Sequence, residues 1–167
     1  MARAGGGPLN TPVIDDLYSD RVLRLAASMP HAGRLADPDG SAERTAKLCG
    51  SRILVDVKLR DGRVADFAQE VQACALGQAA AAILGAHVIG ATTDEITAAR
   101  DALKAMLKHG GPPPTGRFAD LAVLQGVRDY PARHASTALA FEATAAAIES
   151  VGALSMARHP RVERSEA

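Results

Sequence analysis

Two side chains in this sequence are suited to binding a soft metal or exchanging sulfur: Cys49, in KLCGSRILVDV, and Cys74, in VQACALGQAAAAI. The residues between them indicate how they are placed. Ile53, Val55, Val57 and Leu59 alternate, Asp61-Gly62 supplies a turn dipeptide, and Val64 to Val71 returns, which predicts an antiparallel hairpin. Cys49 stands about twelve residues before that turn and Cys74 about twelve after it, so antiparallel pairing puts both thiols at the same edge of the sheet. Beyond Cys74, ALGQAAAAILGAHVIG is too long and alanine-rich for a strand and reads as a helix. A cysteine at a helix N-terminus faces the positive end of the dipole, which favours the thiolate, so Cys74 is the better candidate for a reactive thiol. Without CxxC spacing the pair stays open to several readings: metal ligands, a redox pair, free thiols, or two small buried hydrophobes.

The elements that must hold the pair follow from periodicity and breakers. Leu17, Tyr18, Val22 and Leu25 form one stripe of a helix over 15–27, with Asp15 and Asp16 as first-turn charges, and Pro30 ends it. A Gly/Pro/Asp loop follows, then SAERTAKL (41–48), a weakly alternating polar-faced strand before the hairpin. Thr92 to Glu95 fits a capping box, and Ile96, Leu103, Met106 and Leu107 stripe a helix as far as Lys108 and His109. HGGPPPTGR breaks it, FADLAVLQGV is a short helix or ordered insert, YPAR is a bend, and STALAFEATAAAIESVGAL is the last helix. The predicted fold is α+β: a small antiparallel sheet of about three strands with helices packed on one face. Residues 1–13 read as a flexible N-terminal tail, 14–152 as a single domain and 153–167 as a flexible C-terminal tail.

Composition narrows the function. The 167 residues include 19 basic and 19 acidic side chains, so no overall field draws the chain to nucleic acid or to an anionic membrane surface. The longest apolar stretch, Ala73 to Ala91, contains Gln78 and His87 and leans on alanine, which reads as a buried helix rather than a span. The N-terminus has no apolar signal core, so the expected location is the cytoplasm, where two distant cysteines are not a structural staple. GxxxxGK, GxGxxG opening a helix, HExxH and GxSxG are missing, and the chain is not expected to be an enzyme.

The order of these features resembles a known family. A helix and loop, CG before a hairpin, a second cysteine in ACALGQAAAAI, and PARHASTAL opening a final helix are similar to the U-type iron-sulfur scaffolds: IscU, SufU and the N-terminal domain of NifU. The resemblance spans roughly residues 15–150, and GGPPPTGRFADLAVLQGVRDYPAR looks most like the SufU insert. Members hold metal with three cysteines and an aspartate. Cys49 and Cys74 match two of the cysteines, whereas Ser51 stands in place of the aspartate and Ser136 in place of the third cysteine. Tyr130-Pro131-Ala132-Arg133 occupies the place of the LPPVK motif of IscU, and Arg133 could favour nearby thiolates.

The resemblance implies an iron-sulfur cluster assembly scaffold that receives iron and sulfide, builds a labile cluster on Cys49 and Cys74, and delivers it to recipient apoproteins, with a cysteine desulfurase as sulfur donor. A neutral serine is a poor ligand beside thiolate, and three repairs are open. His134, two residues before Ser136, could add a nitrogen ligand; two chains could share one cluster as a homodimer; or the pair could carry sulfur or a reversible disulfide without metal. The alternative function is a zinc-dependent sulfur-acceptor partner of a cysteine desulfurase, and the second alternative is a metal-free interaction protein. Ser136 is expected to cap the final helix and Ser51 to lie at a strand edge.

Overall fold

The alternating segment around Ile53 forms the middle of a three-stranded antiparallel sheet ordered β1-β2-β3: β1 spans Gly40–Ala46, β2 Ser51–Arg60 and β3 Arg63–Gln72. The computed structural model describes residues 18–158; the N-terminal tail assigned to 1–13 and the expected helix start at Asp15 lie outside the described residues. The β2–β3 turn is the two residues Asp61 and Gly62, with φ of 54° and 76°. Positive φ at both central positions matches the right-handed twist of the flanking strands, which is why an Asp-Gly pair closes the hairpin. The pairing runs from Arg60↔Arg63 at the turn to Arg52↔Gln72 at the far end, with one irregularity between Lys58 and Leu59.

Pairing puts Ile53, Val55 and Val57 on one face with Val71, Gln69 and Phe67, and the helices cover that face. The last helix lies across β1 and β2. Gly40 permits this, because a Cβ there would run into the Ala147 carbonyl and the side chains of Ser150 and Val151. The other face is closed at Asp56, a buried carboxylate on β2. Arg34 donates to it through Nε (2.6 Å) and Nη2 (3.1 Å), the Leu35 amide donates at 3.0 Å, and the Ser41 hydroxyl adds a fourth bond. Burial pushes this carboxyl's pKa up, but those donors and the Arg34 charge outweigh it and hold the pKa below the usual value.

Around the sheet, α1 (Asp20–Ala27) begins at Ser19, whose hydroxyl accepts from the Val22 amide, so the stripe expected from Asp15 is helical from Asp20 among the described residues. The alanine-rich α2 (Ala75–His87) has buried residues on nearly every side, which is what a helix without a polar face requires. α3 (Thr93–His109) opens with the expected capping box, Glu95 N donating to Thr92 Oγ1 and Thr92 N to Glu95 Oε1. The insert Gly116–Asp129 is a run of 3-10 turns kinked at Phe118, whose ring meets Phe141 edge-on at 5.3 Å. A short 3-10 turn, Pro131–Arg133, leads into α4 (His134–Arg158), which continues six residues into the segment assigned above to the C-terminal tail. The fold is α+β as expected. No helix among the described residues is long and apolar enough to cross a membrane.

Candidate functional site

Hairpin pairing ends at Arg52↔Gln72, so the chain leaves the sheet at one edge in both directions, toward Cys49 and toward Cys74. Cys49 sits in the turn between β1 and β2, followed by Gly50 at φ 70°. Cys74 is the N-cap residue of α2 and makes no side-chain capping bond, which leaves its sulfur free to face outward. Both thiols line one open groove of about 430 Å3, together with Ser51, Gln72, Gln78 and Arg133.

The start of α4 completes the site. Gly77, in the first turn of α2, has no Cβ, and one built there would lie 2.9 Å from the Ser136 carbonyl oxygen. That close approach brings the buried Ser136 hydroxyl to 3.4 Å from Cys74 Sγ, while Ser51 Oγ lies 3.0 Å from Cys49 Sγ. The two serines that replace ligands are therefore the hydrogen-bond partners of the two remaining thiols. Ser136 Oγ also donates to the Arg133 carbonyl over a long 3.4 Å, but Thr137 Oγ1 serves the same oxygen at 2.7 Å, so the Ser136 proton is available to a thiolate.

The surroundings of Cys49 favour its thiolate. Burial pushes the Cys49 pKa up, yet the Ser51 and Ser136 hydroxyls, the Ser51 amide and the Arg133 charge outweigh it, and the pKa lies below the ordinary thiol value. Cys49 thus joins Cys74, at the N-terminus of α2, as a candidate reactive thiol. Ser136 departs from expectation: it is the third residue of α4, buried, and not its cap.

His134 does not join the site. Residues two apart on a helix point to opposite sides, and α4 begins at His134, so Ser136 faces the thiols while His134 lines a different cavity with Leu107 and Leu139. Its Nε2 lies 3.1 Å from the carbonyl oxygens of both Val127 and Arg128, which occupies the nitrogen as a donor. Among the described residues no three His, Cys, Asp or Glu side chains gather closely enough to hold a metal ion, so His134 is not brought to the two thiols. The donor set is two sulfurs flanked by two hydroxyls and a guanidinium. It does not fit a closed structural zinc site, which needs four nitrogen or sulfur ligands. It leaves two sulfurs as soft ligands, of the kind that hold iron-sulfur clusters.

Sequence reasoning missed Gln78, whose Nε2 donates to the Ala73 carbonyl at the groove wall (3.0 Å), and the hydrogen-bonding roles of Ser51 and Ser136. The i, i+2 spacing of Cys49 and Ser51 was a local signal for one of these. The Cys74–Ser136 contact joins residues 62 apart and left no local trace.

Comparison with known proteins bears on the fold and the family. The chain is 27% identical over 135 residues to the iron-sulfur cluster assembly scaffold protein IscU of Thermotoga maritima, covering 81% of this chain and 94% of the relative. It matches the crystal structure of a nitrogen-fixing NifU-like protein (N-terminal) from Brucella abortus with a TM-score of 0.82 and 54% identity, over 84% of this chain and 97% of that one. A putative iron-sulfur cluster assembly scaffold protein for the SUF system from Fervidobacterium islandicum shares the fold at a TM-score of 0.71 and 18% identity, over 77% and 94% of the two chains. The family model for the NifU-like N terminal domain matches residues 17–137, both cysteines included, and the chain belongs to that family.

Proposed function

We infer that this chain is an iron-sulfur cluster assembly scaffold: a cluster is built from iron and sulfide in the groove, held by Cys49 and Cys74, and passed to recipient apoproteins. The observation that carries this reading is the meeting of two thiols in one open groove in a chain of this family. Two thiolates satisfy two positions of a cluster that takes four. A second copy of the chain, presenting the same pair across a two-fold axis, would supply the rest. Arg133 offsets the negative charge that thiolates and sulfide bring into the groove, and because the serines are neutral, separation of the two copies leaves the cluster under-ligated and so easier to release. Iron and sulfide are cargo here. The sulfur is drawn from a cysteine desulfurase, the enzyme class that liberates it from cysteine as a persulfide, and a thiol or other two-electron reductant brings it to sulfide.

Anaerobic reconstitution of the full chain with ferrous iron and sulfide, followed by gel filtration, absorption and metal analysis, tests this. Visible cluster absorption with matching iron and sulfide is expected, with elution as a dimer if the cluster is shared. Cys49→Ala and Cys74→Ala should each abolish it; unchanged metal content in either variant would defeat a joint site. Tightly bound zinc without iron would move the function to sulfur transfer.

A further inference from the structure

A second cavity, of about 500 Å3, opens between the end of β1, the C-terminal half of α3 and the first turns of α4. That size falls in the range of small-molecule sites, roughly 300–1,000 Å3. Its floor is apolar: Leu107, Ala138 and Leu139 line it and are otherwise buried. Its rim is cationic. Lys104 is neutralised by Glu142, with Nζ 2.7 Å from Oε2 across α3 and α4, and the His134 ring nitrogen is held by backbone carbonyls. Arg44 and Lys108 remain; both are exposed and neither pairs with a carboxylate among the described residues. Among the described residues the Arg44 side chain donates only to the Glu43 carbonyl, at 2.9 Å.

An apolar floor beneath two uncompensated cations selects for a ligand with an apolar body and one anionic head, since the body gains by leaving water and the head finds opposite charge at the rim. We propose that this cavity binds an amphipathic monoanion, a small organic acid with an aliphatic or aromatic body. The site is independent of metal. It lies on the back of the helical turn that carries Ser136, and β1 leads from its wall directly to the turn holding Cys49.

The test is a titration of the metal-free full chain with sodium octanoate and, separately, with octan-1-ol, followed by 1H–15N correlation spectra. Octanoate should give saturable shifts centred on the amides of Thr45, Lys108, Ala135 and Leu139, and should bind about tenfold more tightly than the alcohol. The double substitution Arg44→Gln with Lys108→Gln touches only exposed side chains, and its own spectrum reports whether it folds. It should lose about tenfold for octanoate and nothing for octanol. Equal affinity for the two ligands, shifts centred elsewhere, or no saturation by about 10 mM would each overturn the proposal.

Discussion

At one end of the β2–β3 hairpin the chain reverses through Asp61 and Gly62, two adjacent residues whose backbone geometry does the whole job. At the other end Cys49 and Cys74 diverge from the sheet, and what keeps them in one groove is α4, which reaches them through Ser136. The turn end is therefore local and the thiol end is tertiary. A local device fails only where it is touched; a tertiary one fails wherever the packing behind it gives way. The proposed scaffold groove sits at the tertiary end, and that makes it sensitive to changes that never touch a cysteine.

The largest effect should come from the middle, on which both ends depend. Asp56→Ala removes a buried acceptor from Arg34, the Leu35 amide and Ser41, and should cost about 3 kcal/mol in urea denaturation. Because folding holds this carboxyl below its unfolded pKa of about 3.9, its stabilisation is complete above that value and is lost as pH falls through it toward the folded pKa. Asp56→Asn should accordingly show a flatter acid limb than the parent. An equally steep limb would assign the acid sensitivity to other groups.

Next in size is Gly77→Ala. The added Cβ would stand 2.9 Å from the Ser136 carbonyl oxygen and equally close to the Ala73 Cβ, and neither is the end of a flexible side chain. Overpacking of this kind costs about 2 kcal/mol, and relief by moving α4 outward separates Ser136 from Cys74. Loss of stability together with faster alkylation of Cys74 is expected. Gly62→Ala sharpens the contrast at the other end: at φ 76° an alanine costs about 1 kcal/mol, and the thiols should react as before. If Gly62→Ala altered thiol reactivity as much as Gly77→Ala, the division between a local and a tertiary end would not stand.

The same division explains what could be read from the sequence. The hairpin, its turn, the capping box of α3 and the exit of the chain toward Cys49 and Cys74 at one sheet edge follow from short-range rules, because strand alternation and a two-residue turn determine register without help. Ser136 was read as a cap because its distant partner in α2 leaves no mark on its neighbours, and the close approach at Gly77 shows only in three dimensions. His134 shows another limit of reading along the chain. Reading the last helix as starting at Ser136 made a residue two positions earlier look like a neighbour; starting the helix at His134 turns the two side chains apart. The donors on Cys49 are a further case, since the dipole argument counts only one helix while these donors come from β2 and α4.

The smallest effects should appear in the reactivity of Cys49 itself, and their order is the finest test of the site. The Ser51 hydroxyl, the Ser136 hydroxyl and the Arg133 charge all favour the thiolate, in decreasing order, against a burial that disfavours it. Removing a stabiliser of the charged form raises the pKa, so the pH profile of Cys49 alkylation, followed by mass spectrometry of the metal-free protein, should move to higher pH in each variant. Ser51→Ala should move it furthest, Ser136→Ala less and Arg133→Gln least. An unmoved profile in Ser136→Ala would mean that α4 holds the groove's shape without acting on its chemistry. A shift there, with stability unchanged, would mean that the helix arriving from far along the chain tunes the thiol that the local turn only places.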